Sequence, residues 1–421
     1  MKFSVLIIKS LEELLSKILK FTCSPNKLLS NYFCEYKKLG IFERNIISKA
    51  VYNLLYNKST YFYFIYNKFG DKTISARNLT LFCLKDLISI SSIEGLSEKE
   101  FYFFNKKIDF NLAPPLIKSN FPEWLFTKLV IQYGESETLD LSKKINQSAP
   151  LDLRVNLLKS KREIIIKKLL DFSIFCTPTP YAPFGLRVIK KVSLKKIDFF
   201  KKGIIEIQDE GSQLLTHIIE IKRGQLIVDF CAGSGGKTLA IGALIRNTGC
   251  IYALDISKKK IEELKKRVIR SGLSNVYPIV IKNENDIKIK FLEQKAHRVL
   301  VDAPCSGLGT LRRNPYIKWY QKSFFIEKIN SKQINILNNA SKLVRIEGYL
   351  IYSTCSILKE ENEDIVNKFI EINKNFCLIS VKNILKKQKI KLSINNDYYL
   401  KLLTNIHNTD CFFAAIMKRI E

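Results

Sequence analysis

Histidine is nearly absent from this chain of 421 residues: there are three, His217, His297 and His407, widely separated. That scarcity argues against a histidine metal centre or a Ser-His-Asp triad and leaves each as a surface or packing residue. Paired cysteines are missing too. The ten Cys include no CxxC and follow no regular spacing, so they outline neither a disulfide framework nor a zinc site, and reduced thiols of a cytoplasmic protein are the simpler account. No apolar run reaches the uncharged length of a membrane span. The N-terminal MKFSVLIIKS is too short an apolar run for a signal peptide and passes at once into the amphipathic LEELLSKILK. No repeat or low-complexity linker interrupts the chain. The expectation is a cytoplasmic, monomeric protein without metal or membrane partner, long enough for two or three domains.

Acidic residues are also in deficit. Lys and Arg number 69 against 40 Asp and Glu, a net charge of +29, which points to a polyanionic partner. The chain is heavy in Ile, Lys and Asn together, a pattern that AT-rich coding DNA produces unaided. The charge therefore supports nucleic acid only beside other observations.

What is present is concentrated in one stretch, Leu226 to Thr238, LIVDFCAGSGGKT. A short apolar run ending in Asp, then glycines, then an apolar helix reads as strand, tight loop and helix, the place where doubly wound folds hold nucleotide-like ligands. Two phosphate-binding patterns fail. A P-loop requires Gly where Cys231 stands, and Gly233-Ser234-Gly235-Gly236-Lys237-Thr238 lacks the third Gly of a dinucleotide fingerprint. A loop for S-adenosylmethionine, which has a ribose and adenine but no pyrophosphate, survives, against the plain alternative of a structural turn. In support, GCIYALDIS ends a second apolar strand in Asp255, about twenty residues on, where a carboxylate commonly accepts ribose hydroxyls. Ser257 can then cap the next helix and Gly272 can end it.

Upstream, residues 1–140 read as helical. Leu11, Leu14, Leu15, Ile18 and Leu19 share one helical face, and Ile46, Ile47, Val51, Leu54 and Leu55 another. The aromatic run at 61–69 fits core packing better than base stacking. Residues 146–222 read as a small α/β module: LDLRVNLL as a strand, KSKREIIIKKLLDF as a helix and TPTPYAPFG as a turn. Its basic residues, Arg154 and Arg187 among them, are candidate phosphate contacts, although a solvated face explains most of them equally well. Residues 223–421 carry the chemistry.

Two more strand ends complete it. One runs into Asp302, Pro304 and Cys305 and then Arg312 and Arg313; the other runs into Thr354, Cys355 and Ser356. In an open α/β sheet these ends face one crevice. A lone Cys is usually inert packing; two at ligand-side strand ends suggest more. Two thiols suit methylation of a pyrimidine at C5: one thiolate adds to C6 and makes C5 nucleophilic, and a second group helps remove the C5 proton and release the first. A free thiol, with pKa about 8.5, is mostly protonated at neutral pH, so Lys237, Arg312 and Arg313 are candidates to favour the thiolate. Asp302 is placed to bond the base edge.

In order, DFCAGSGGKT, ALDIS, DAPCSGLG with RRNPYIKW, and STCS followed by EEN resemble the motifs of the RsmB/NOP family of RNA cytosine-5 methyltransferases over residues 206–421. LRVN and PTPYAPFGLRV resemble that family's N-terminal subdomain, and the helical first third resembles a NusB-type RNA-binding domain. The resemblance implies a Rossmann-like class I methyltransferase domain preceded by a small α/β module and an all-helical domain. It implies Cys355 as nucleophile, Cys305 as the residue assisting release, and S-adenosylmethionine held by Cys231, Ala232, Gly233, Ser234, Gly235, Gly236 and Lys237, by Asp255, by Asp302 and by Asp286, with Glu284 as the fallback for the last. The substrate it implies is RNA, ribosomal above all, with Arg154, Arg187, Arg312 and Arg313 on the RNA side. A non-catalytic RNA-binding assembly factor is the alternative. Two positions depart from the family pattern: Gly233-Ser234 replaces Ala-Pro, and Cys411 stands where TDGFF or TDAFF has its small residue.

Overall fold

The computed structural model describes residues 5–69, 74–85, 87–89, 93, 95–98, 100, 101, 112–190, 192–194 and 197–421. The chain divides into two units, residues 1–148 with 311–323, and residues 149–310 with 324–421.

The first unit is helical. Its helices span Val5–Ile18, Pro25–Glu35, Ile41–Phe69, Ala76–Lys85, Pro115–Ser119, Glu123–Tyr133 and Glu135–Ile145. The apolar faces read from the sequence turn inward: Leu11, Leu14, Leu15, Ile47, Val51, Leu54 and Leu55 are completely buried. Of the aromatic run, Tyr61, Phe64 and Ile65 enter the same core, Tyr66 is exposed, and the side chain of Phe69 lies outside the described residues. The downstream segment 311–323 belongs to this unit. Trp319 donates its indole N–H to the Leu55 carbonyl at 2.8 Å. Lys318 is fully buried, and its ammonium donates to the carbonyl of Tyr56 (3.2 Å) and to Asn146 Oδ1 (2.5 Å). Burial pushes its pKa well below the usual lysine range.

The second unit begins with a small antiparallel sheet of β1 (Leu151–Val155), β2 (Cys176–Pro178), β3 (Gly185–Val188) and β4 (Ile205–Ile207), in the order β2-β3-β1-β4. Helix Arg162–Leu170 covers it, burying Ile165 and Leu169 with Leu153, Val155, Leu186 and Ile205.

The large sheet is formed by β5 (Leu226–Asp229), β6 (Cys250–Asp255), β7 (Val276–Val280), β8 (Ala296–Asp302), β9 (Val344–Thr354), β10 (Phe376–Leu378), β11 (Tyr399–Leu402) and β12 (Phe412–Arg419). Strands β5 to β9 pair in parallel, and β12 adds antiparallel to β9. Parallel strands are covered on both faces and so read as continuous apolar runs; Val299, Leu300 and Val301 of β8 are completely buried. The helix after β6, Lys258–Ser271, turns Ile261, Leu264 and Val268 inward at helical spacing. The Ser257 hydroxyl accepts from the Lys260 N–H at its start, and Gly272, at φ +76°, ends it. The fold is Rossmann-like. Strand order runs β9-β8-β5-β6-β7, so the chain reverses direction across the sheet between β5 and β8. A crevice opens at such a switch point, beyond the carboxyl ends of these two strands.

Candidate active site

A cleft of about 240 Å³ lies at that point, lined by Phe230 and Cys231 after β5, Asp255 and Ile256 at the end of β6, residues 281–284 after β7, and Asp302 and Pro304 at the end of β8. Lys260, Lys332 and Ile336 complete it. The glycine loop is organised through its backbone. Gly233 and Gly235 take φ of +54° and +88°, a region that side chains disfavour. The Gly233 N–H donates to Asp255 Oδ2 (2.9 Å) and the Ser257 N–H to Asp255 Oδ1 (2.8 Å). Asp255 is thereby fixed facing the cleft, each oxygen keeping a lone pair for a ligand hydroxyl. Behind the loop, the buried Asp229 accepts from the Thr238 hydroxyl at 2.7 Å. Burial, with the charge of Asp302 adding, outweighs that bond and pushes Asp229 up to about 7.

The thiols meet on the other side. Cys305 and Cys355 place their sulfurs 3.2 Å apart, a hydrogen-bond separation well beyond a covalent S–S bond. The Cys355 contact, ahead of burial, raises the Cys305 thiol well above the ordinary cysteine range. Lys237, 14% exposed at its side chain, donates to Asp302 Oδ2 at 2.5 Å. Burial works against its charge, but the Asp302 carboxylate and Cys355 overcome it and keep the ammonium above its usual pKa. Asp302 Oδ1 accepts from the Ser353 hydroxyl at 3.1 Å. The carboxylate is thus oriented by a lysine and a serine, with a thiol pair alongside. Gly309 lets the loop after Cys305 close. Its N–H donates to the Cys355 carbonyl at 2.8 Å and its carbonyl accepts from Cys411, and a Cβ there would fall 2.3 Å from the Cys411 oxygen.

The expected residues do not all gather. Cys231, Asp255 and Asp302 line the cleft; Ala232, Gly233, Gly235 and Gly236 form the turn beneath; Lys237 joins Asp302. Ser234 turns away, its hydroxyl donating to Glu263 and its carbonyl accepting from Arg267. Asp286 is a correction. Its carboxylate accepts the N–H groups of Lys282 and Lys288, which holds it below the usual carboxylate range, and it caps a short helical turn, while Glu284 lines the cleft. The basic residues are a second correction. Arg187 is bidentate to Asp152 (2.7 and 2.9 Å) and reaches Glu210, and Arg154, 6% exposed, donates to Gln208. Both are committed to internal partners, so neither offers an open guanidinium to phosphate. Arg312 is buried in the helical unit, its carbonyl accepting from the Tyr56 hydroxyl, and Arg313 beside it is half-buried. The sequence reading missed Lys260, Lys332 and Ile336 on the cleft wall. Their only signal is helical phase, which cannot be read before the helix ends are known.

Comparison with known proteins accords with this geometry. Residues 216–418 match the family model described as 16S rRNA methyltransferase RsmB/F, and residues 121–195 match the ferredoxin-like domain of the RsmF/B-like methyltransferases. A probable ribosomal RNA small subunit methyltransferase B of Synechocystis sp. is 31% identical over 304 residues, spanning 71% of this chain and 67% of its own length. Among solved structures, PH0851 aligns over all of both chains at TM-score 0.79 and 23% identity. NSun6 from Pyrococcus horikoshii, solved with SFG, an analogue of S-adenosylmethionine, aligns over 72% of this chain and 99% of its own at TM-score 0.63 and 23% identity. A glycine loop and two strand-end carboxylates about one crevice, with paired thiols after β8 and β9, together with these matches, place the chain in the RsmB/F family of methyltransferases.

Proposed function

We propose that the protein transfers the methyl group of S-adenosylmethionine to C5 of a cytosine in RNA, small-subunit ribosomal RNA being the favoured substrate. The observation that carries this reading is the thiol pair, 3.2 Å apart, beside the Lys237–Asp302 bridge. The cleft residues suit the donor: Phe230, Ile281 and Ile336 provide apolar walls for an adenine, and Asp255 and Glu284 provide acceptors for hydroxyl or amino groups. When bound, S-adenosylmethionine supplies an electrophilic methyl group.

The protein's own groups do the rest. Cys355 Sγ bonds to C6 of the base, turning the C5–C6 double bond into a nucleophile at C5. Asp302, steered by Lys237 and Ser353, accepts from the N4 amino group and so fixes the base edge against the thiols. After the methyl group arrives, the C5 proton passes to water, the electron pair of its C–H bond re-forms the C5–C6 double bond, and the S–C6 bond breaks with the Cys305 thiol giving its proton to the departing Cys355 sulfur. The target base must leave its stack, at a cost of a few kcal/mol that is smaller in a loop.

The test is incubation with methyl-labelled S-adenosylmethionine and unmodified small-subunit rRNA, followed by bisulfite sequencing. One protected cytosine is expected. No label on small-subunit rRNA, large-subunit rRNA or tRNA, with donor binding intact, would favour a non-catalytic assembly factor.

A further inference from the structure

Both cysteine loops converge on a residue that the proposed chemistry does not use. Glu361, 0% exposed, lies in the short turn Lys359–Glu361 after β9. Its Oε1 accepts the Ser306 N–H (2.8 Å) and the Gln333 amide (3.2 Å); its Oε2 accepts the Ser306 hydroxyl (2.5 Å) and the Ser356 hydroxyl. All four donors are neutral. Ser306 follows Cys305 and Ser356 follows Cys355. The next residue extends the clamp: Asn362 Oδ1 accepts from the Thr354 hydroxyl (2.5 Å) and its amide donates to the Ser356 carbonyl (3.1 Å). The residues on both sides of Cys355, and the one after Cys305, therefore hang on two adjacent side chains.

We propose that Glu361 is a positioning residue that ties the Cys305 and Cys355 loops together and sets its carboxyl group on the Cys305 side of the pair, leaving Cys355 as the nucleophile. This rests on reading the two thiols as partners in one reaction. The charges around the pair are unequal. Cys355, Glu361 and Tyr352 are the titratable groups facing Cys305; the Cys355 contact and burial raise its thiol, and Glu361 adds to that rise. Lys237 acts on Cys355. With Glu361 bearing on Cys305 and Lys237 near Cys355, two chemically identical groups have unlike surroundings.

The test compares the wild-type chain with Glu361→Gln, which keeps the shape and removes the charge. Iodoacetamide labelling of each cysteine is followed by mass spectrometry across a pH series, with donor affinity as the control for an intact cleft. In the wild type Cys355 should label ahead of Cys305. In Glu361→Gln the Cys305 curve should move to lower pH, labelling on the order of tenfold faster where a shift of one unit separates the two proteins. An unmoved Cys305 curve with donor affinity retained would overturn the proposal, even if the thermal midpoint fell. Should Glu361→Gln not fold, Ser306→Ala and Ser356→Ala each remove one arm; slower methyl transfer at unchanged KM for RNA is expected, and full kcat in both would count against the clamp. Labelling requires no RNA, so it is read separately from whether the wild type methylates RNA.

Discussion

On the β5–β6 side of the cleft the ligand-facing groups are held by the main chain; on the β8–β9 side they are held by other side chains. Asp255 is oriented by two backbone N–H groups, and the glycine turn presents peptide groups. Asp302, Cys305 and Cys355 depend instead on Lys237, Ser353 and the Glu361–Asn362 pair. A backbone-built site tolerates side-chain change wherever its conformation admits one, because every residue but proline keeps its N–H. That is why Gly233-Ser234 can stand where the family pattern has Ala-Pro: the Ser234 hydroxyl points to Glu263 and the N–H of Gly233 still reaches Asp255. A side-chain-built site has no such latitude.

The sharpest break in that comparison is removal of the thiols. Cys355→Ala should abolish methyl transfer and leave no covalent adduct, with donor affinity unchanged because the cofactor side does not depend on it. Cys305→Ala should form the adduct and fail to release it, appearing as a slowly migrating band on a denaturing gel. Full activity in both variants would refute the assignment.

Asp229 separates the two sides by pH. Its folded pKa is raised from 3.8 to about 7, so its contribution to stability is fully present below about pH 3.8 and is lost as pH rises through 7. Asp229→Asn cannot ionise, yet its amide oxygen can still accept from Thr238. The variant's thermal midpoint relative to wild type should therefore be higher by some degrees at pH 8 than at pH 5.5. An equal difference at both pH values would show that Asp229 does not titrate in this range.

Much of the sheet was legible because each parallel strand is a short apolar run closed by Asp or by a polar turn: β5 at Asp229, β6 at Asp255, β8 at Asp302 and β9 at Thr354. Ser257 and Gly272 marked both ends of a helix because each has a specific backbone task there. What stayed hidden depends on partners remote in sequence. Arg187 reads as a surface cation until Asp152 and Glu210 are seen against it, and Lys318 reads as solvated until the Tyr56 carbonyl and Asn146 enclose it. Glu361 was visible only as part of the EEN that follows STCS, since nothing local marks it as a buried acceptor of four hydrogen bonds.

The smallest expected effect concerns the loop after β7, where the family resemblance pointed to Asp286, with Glu284 as the fallback, and the structure puts Glu284 on the cleft. Asp286 accepts two backbone N–H groups and ends the loop as a helix cap, so Asp286→Ala removes a cap and should lower the thermal midpoint. Glu284 has no such backbone task, and Glu284→Ala should leave the thermal midpoint in place while weakening donor binding severalfold, as for one lost hydrogen bond to a charged group. Calorimetric titration of both variants with S-adenosylmethionine, each paired with a melting curve, distinguishes the roles. Weakened binding in Asp286→Ala with an unchanged midpoint would restore the assignment made from the resemblance. Asp286 would then contact the donor through a rearranged loop, and the β7 end of the cleft would hold its ligand by a movable side chain, unlike the main-chain mounting of Asp255 one strand away.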